Sequence, residues 1–302
     1  MNNKWLSLIM AAILSAPVAA EVKLYGKANV SFQAVDENGD SFSELVSNAS
    51  RIGVKGSETI NDSLEVIYHF EYETAVDDGE NSNNETFSQR NIFVGVKGDF
   101  GTAIAGHFDT PLKAAQNKVD LFNDLTGDIR NLITVNENRA SNQVNYTTPS
   151  SIGPVTVSVS VISSEEENID NGVSASVAFE QNGLYLAAAI DRDVEAMDEE
   201  AARVVAQYNF SHFQLGGLYE TYDDGFDSYD GFLVSGQYQL NQWALKAQFG
   251  QSDISEEGGE SLSLGGDYKL SESTTLFGYL TSLESDLNTD ADYLGVGIEH
   301  KF

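Results

Sequence analysis

From Ser50 to Thr74 the chain reads SRIGVKGSETINDSLEVIYHFEYET, and polar and apolar side chains take turns along it. Arg51, Lys55, Glu58, Glu65, His69, Glu71 and Glu73 occupy one set of positions; Ile52, Val54, Leu64, Val66, Tyr68, Phe70 and Tyr72 occupy the other. Successive side chains of a strand point to opposite faces, so this period predicts a sheet with one charged and one apolar face.

The same unit recurs to the end of the chain, in VKLYGKANVSF, LYLAAAIDRD, FQLGGLYETY, WALKAQFGQS and DYLGVGIEHKF. Short connections (INDS, GDFG, QNG, SH, NQ, SES) alternate with long acidic ones (DENGDSFSE, AVDDGENSNNE, SSEEENIDN, DVEAMDEE, DDGFDS, SDISEEGG, SDLNTD). Counting the runs gives about sixteen strands, roughly 17 residues per strand and connection, which suits an antiparallel up-and-down barrel. The connection from Asp109 to Asn138 breaks the rhythm. Its own leucine, phenylalanine and isoleucine content predicts a folded segment, and connections this long inside a domain are usually functional.

A barrel of about sixteen strands encloses a lumen too wide for side chains to fill. The charged face is therefore expected to line water and the apolar face to meet lipid, with closure removing the unpaired edges that hydrocarbon would not tolerate. Tyr25, Phe32, Tyr72, Phe108, Tyr146, Phe210, Trp243 and Phe302, near strand ends, are the expected aromatic girdles at the membrane interfaces. A soluble β-sandwich explains neither the short–long rhythm nor an aromatic residue closing the last strand.

Residues 1–20, MNNKWLSLIMAAILSAPVAA, have the basic start, short apolar core and small residues of an export signal, leaving residues 21–302 as one barrel domain. With no cysteine, no disulfide can staple an exported chain of this sequence. A formal charge of −31 argues against nucleic-acid binding. His69, His107, His212 and His300 form no H-E-x-x-H pair, no G-x-S-x-G occurs, and the glycines of GVKGDFG fit a turn rather than a phosphate loop. No enzyme activity and no cofactor or metal is expected. Acidic runs such as Glu165–Glu167 are read as solvated loop charge, with loose divalent-cation bridging to lipopolysaccharide as the alternative.

LYGKANVSF, SRIGVKGSETI, QRNIFVGVKGDFGTAIAGHFDTP and the terminal LGVGIEHKF, in that order and spacing, resemble the general porins of Gram-negative outer membranes. The resemblance implies a homotrimer of sixteen-stranded barrels in the outer membrane, each with its third long loop (about 109–138) folded into the pore. It carries the family's basic wall cluster onto Lys27, Arg51, Arg90 and Arg139, and the facing acidic cluster onto the long loop. There Asp120, Asp124, Asp128 and Glu137 are available, Asp120 and Asp124 ranking first. Glu71 and His107 are further expected pore-lining positions; at His107 related porins commonly carry arginine. Arg90 shares its parity with Ile92 and Val94, and an infolded loop packed on that wall would explain those two apolar residues. The function implied is passive diffusion of small hydrophilic solutes and ions, with acidic loops tilting the pore towards cations. A sugar- or anion-selective porin and a plugged structural or adhesive barrel are the alternatives.

Overall fold

Alternating segments of about ten residues are long enough to cross a bilayer when tilted, and pairing each with its chain neighbour satisfies the backbone without help from water. The computed structural model describes residues 20–79, 85–167 and 169–302, so the export-signal reading lies almost wholly outside the described residues. The first nine strand segments are β1 (Ala20–Glu37), β2 (Asp40–Ser47), β3 (Arg51–Asn61), β4 (Leu64–Glu73), β5 (Ser88–Gly98), β6 (Gly101–Asp109), β7 (Arg139–Thr147), β8 (Val155–Ile162) and β9 (Gly172–Gln181). They are followed by β10 (Leu184–Arg192), β11 (Glu200–Phe210), β12 (Phe213–Asp223), β13 (Ser228–Leu240), β14 (Trp243–Ser252), β15 (Gly259–Lys269), β16 (Thr274–Glu284) and β17 (Asp290–Lys301).

All described pairings are antiparallel, and β1 closes the sheet on β17 from Lys27↔Lys301 to Glu37↔Ala291. Seventeen segments fill sixteen positions, because β2 and β3 lie end to end against β1, interrupted at Asn48–Ala49–Ser50. The fold is a closed sixteen-stranded antiparallel barrel, as the sequence rhythm predicts. At the seam the Gly26 amide donates to the Phe302 carbonyl at 2.9 Å and the Phe302 amide donates back at 3.1 Å. A Cβ on Gly26 would stand 2.2 Å from the Phe302 ring, so only glycine lets the terminal aromatic lie over the joint.

The two faces sort largely as expected. Leu24, Phe32, Phe70, Val94, Val204, Leu264, Leu280 and Val296 are exposed on the outside, whereas Asn29, Ser31, Gln33, Gln143, Asn145 and Gln248 are buried on the inside. Several expectations need correction. DENGDSFSE is not a long loop: β1 and β2 run through it and turn at Asn38–Gly39, both with positive φ, the turn chemistry that an Asn-Gly pair favours. Glu58 pairs with Val66 and so sits on the apolar face, near the short-turn end of β3. Tyr25 and Phe108 are not girdle residues: the Tyr25 hydroxyl donates to Glu71 inside the barrel, and Phe108 is buried against Phe93.

Candidate functional site

Between β6 and β7 the chain turns into the barrel as a folded loop, residues 110–138. Thr110 caps a single helical turn, α1 (Pro111–Ala115), its hydroxyl accepting from the Lys113 amide, and a 3-10 turn spans Ile129–Asn131. The loop is amphipathic. Leu112, Ala115, Val119, Ile129 and Ile133 form a buried cluster with Ala187, Ala189, Ala201, Val205, Leu218 and Leu233, inward residues of β10–β13. The inner wall is therefore dry along this flank, which corrects the expectation of a uniformly charged lumen. Inward glycines are the sockets: a Cβ on Gly216, Gly250 or Gly265 would lie 3.1, 2.8 or 2.9 Å from Val119, Ile133 or Phe122.

From this dry flank the loop reaches across to the opposite wall. Asp124, held at φ 66°, presents Oδ2 to Lys27 Nζ on β1 and to Arg51 Nη2 on β3, each at 2.6 Å. Burial alone would raise its pKa, but Lys27 and Arg51 outweigh burial and hold the carboxyl below the ordinary aspartate range. Beside it, Arg51 Nη1 lies 3.7 Å from Glu71, and Arg90 Nε donates to Glu71 at 3.0 Å while its Nη1 binds Glu73. Arg90 reaches the lumen through a β-bulge: two residues, Arg90 and Asn91, stand opposite Glu71, because Phe70 pairs with Ile92 but Tyr72 with Gln89. The bulge replaces the packing explanation for Ile92 and Val94, which stay on the outer face, Val94 55% exposed.

Arg139 stands apart from this group. Its Nε lies 2.9 Å from Asp109, which also holds Lys113 at 3.5 Å. Asp120 and Asp128 turn mainly to the loop itself. Asp120 accepts from the Phe122 and Ile129 amides at 2.9 and 3.0 Å and from Gln248 at 3.1 Å. Asp128 caps the 3-10 turn and accepts from the Asp124 amide at 2.7 Å. Both carboxylates shape the loop, and Asp124 alone of the three touches Lys27 and Arg51. Glu137 is buried against Arg203 at 2.8 Å; burial pushes its carboxyl up, with Arg203 and Lys113 pulling against the rise. His107 does not line the lumen. It pairs with Ile92 on the outer face and hydrogen-bonds Ser141. Asp109 and Lys113 at the start of the loop, and the buried Arg203–Glu220 pair behind it, take part in this charge network and escaped the sequence reading.

A barrel with an infolded loop bridged to a basic wall is matched at sequence level too. A family model described as Gram-negative porin matches residues 7–288. The chain belongs to the Gram-negative porin family. Among curated porin relatives, outer membrane porin protein 32 of Delftia acidovorans is 27% identical over 329 residues, covering 96% of this chain and 92% of its own length. Major outer membrane protein P.IB of Neisseria gonorrhoeae is 32% identical over 136 residues, a match spanning 41% of this chain and 38% of that relative. Among solved porins, the anion-selective porin from Comamonas acidovorans superposes with a TM-score of 0.81 at 21% identity, over 94% of this chain and 100% of that one. The Salmonella typhi OmpF complex with daunomycin gives 0.76 at 20% identity, over 94% and 98%. At these identities the likeness is one of fold. The porin family and the names of the curated relatives place the chain in the outer membrane.

Proposed function

We propose that the chain is a general diffusion porin for small hydrophilic solutes and ions, mildly cation-preferring, and that it works as a homotrimer. The observation that carries this is the juxtaposition inside the barrel of Lys27, Arg51 and Arg90 on one wall with Asp124 on the loop. Opposed charges set a field across a narrow aqueous path; such a field suits hydrated polar solutes and penalises bulky apolar ones. The driving force is the solute's own gradient, so no chemical step and no cofactor enter.

Charge balance supports the tilt towards cations. Across the bridge group and the separate Asp109 group, five cations (Lys27, Arg51, Arg90, Lys113, Arg139) pair with five carboxylates (Glu71, Glu73, Asp109, Asp124, Glu299), so these ion pairs carry no net sign. The mouth at the long-connection end is unbalanced. A cavity of about 1340 Å³ there is lined by eight carboxylates, among them Glu195, Glu199, Asp224, Asp253, Glu256 and Asp286, with no lysine or arginine among the described lining residues. A vestibule of one sign concentrates counter-ions, over a screening length of about 8 Å at physiological ionic strength.

In a planar bilayer under a potassium chloride gradient, the reversal potential should show modest cation selectivity that fades as salt rises. Clear anion selectivity would reject the tilt and favour the second reading, an anion-selective pore like the Comamonas acidovorans neighbour. Sugar block of the current would instead mark a substrate-selective pore, and silence a plugged barrel. The trimer rests on the family and on a solved Vibrio cholerae OmpT described in trimer form. Crosslinking in mild detergent should give a three-subunit band, and the uncrosslinked protein should show heat-sensitive migration on a gel; a crosslinked sample with a monomer band alone would overturn the trimer.

A further inference from the structure

One guanidinium ties the infolded loop to the barrel. Arg203, on the inner face of β11, is wholly buried. Its Nε donates to Glu220 of β12 at 2.5 Å, and its Nη1 donates to Glu137, on the returning limb of the loop, at 2.8 Å. The same Nη1 points at the carbonyl of Leu112, on the entering limb, at 3.4 Å. Glu220 carries the connection further: its Oε1 accepts from the Thr134 hydroxyl and, at 2.9 Å, from Asn136 Nδ2. Lys113 joins the two limbs by donating to the Glu137 carbonyl at 2.9 Å.

Resting on the reading of the chain as a diffusion pore, we propose that Arg203 is a positioning residue that sets the bore by holding both limbs of the 110–138 loop to the β11–β12 wall. It lies behind the loop, on the dry side, and meets no passing solute. Its effect on transport runs through where the loop, and with it Asp124, stands. A buried guanidinium shared by two carboxylates is a stringent fastener, because removing it leaves two buried like charges with no guanidinium between them, and they repel. Lysine keeps the charge but offers no planar fork to bridge two carboxylates.

The test compares wild type, Arg203→Lys and Arg203→Met in planar bilayers, with heat-sensitive gel migration confirming a folded barrel in each. Arg203→Met should give single-channel conductance about 1.5-fold or more above wild type, with noisy open levels and faster uptake of larger solutes into vesicles. Arg203→Lys should fall between the two. A second route spares the buried charges: Thr134→Val with Asn136→Leu cuts the loop's bonds to Glu220 while Arg203 stays paired, and should shift conductance the same way by less. Folded variants with wild-type conductance and solute size dependence, or a Thr134→Val/Asn136→Leu pore identical to wild type where Arg203→Met fails to fold, would overturn the inference. A wild-type chain that passes no current would sink the pore reading itself, a separate outcome.

Discussion

Asp124→Asn should open the passage and move its selectivity towards anions. The carboxylate is shared by Lys27 and Arg51 at 2.6 Å each, so the neutral amide leaves them only their longer ion pairs, with Glu299 at 3.9 Å and Glu71 at 3.7 Å, and the site gains one net positive charge. Asparagine keeps the volume and tolerates φ 66°, and the Asp124 amide bond to Asp128 is untouched, so the loop's own fold survives the change. Removing one unit charge about 5 Å from a passing ion alters its energy by about 0.8 kcal/mol at the dielectric of water, or about fourfold in permeability. Conductance should rise as well, since the loop tip loses its tether to β1 and β3. Reversal potentials and single-channel currents read both effects. A variant indistinguishable from wild type in each would mean that the Asp124 bridge does not border the conducting path.

The largest effect on folding is expected from Val204→Arg. Val204 is 53% exposed on the outer face of β11 and pairs with Ala188 and Tyr219, midway along the wall. If that face meets hydrocarbon, arginine there costs about 2–4 kcal/mol near the midplane. Urea titration of the chain folded into lipid vesicles should show the loss, with Val204→Leu unaffected. Tolerance of arginine would mean that water, not lipid, covers the apolar face.

These expectations also show where the chain can be read and where it cannot. Period-two alternation is a direct imprint of water on one side and lipid on the other, and β1, β3 and β4 display it plainly. It fails where the inner wall is dry. In β11, EAARVVAQYNF, the inward set Ala201, Arg203, Val205, Gln207 mixes two apolar residues with two polar ones, so parity marks Arg203 as inward but does not show that a folded loop covers it. Arg90 was hidden for another reason: a bulge changes parity by one residue, and hydrophobicity carries no mark of it. The family resemblance pointed to Lys27, Arg51, Arg90 and Asp124, which the fold brings into one cluster. It misjudged His107, whose facing depends on its register with Ile92. A usable clue did exist for the loop's seat. Gly216, Gly250 and Gly265 stand at inward positions, where a strand gains nothing from glycine unless something packs close.

The dry seam between the loop and β10–β13 has an electrical consequence. Low-polarity material fills that part of the cross-section, so in the proposed pore current would be confined to a crescent rather than a disc. An ion travelling the crescent feels the β1–β5 wall and the loop tip strongly. At the depth of the loop the far wall is an insulator to it, and changes there would act on transport only through the loop's seat.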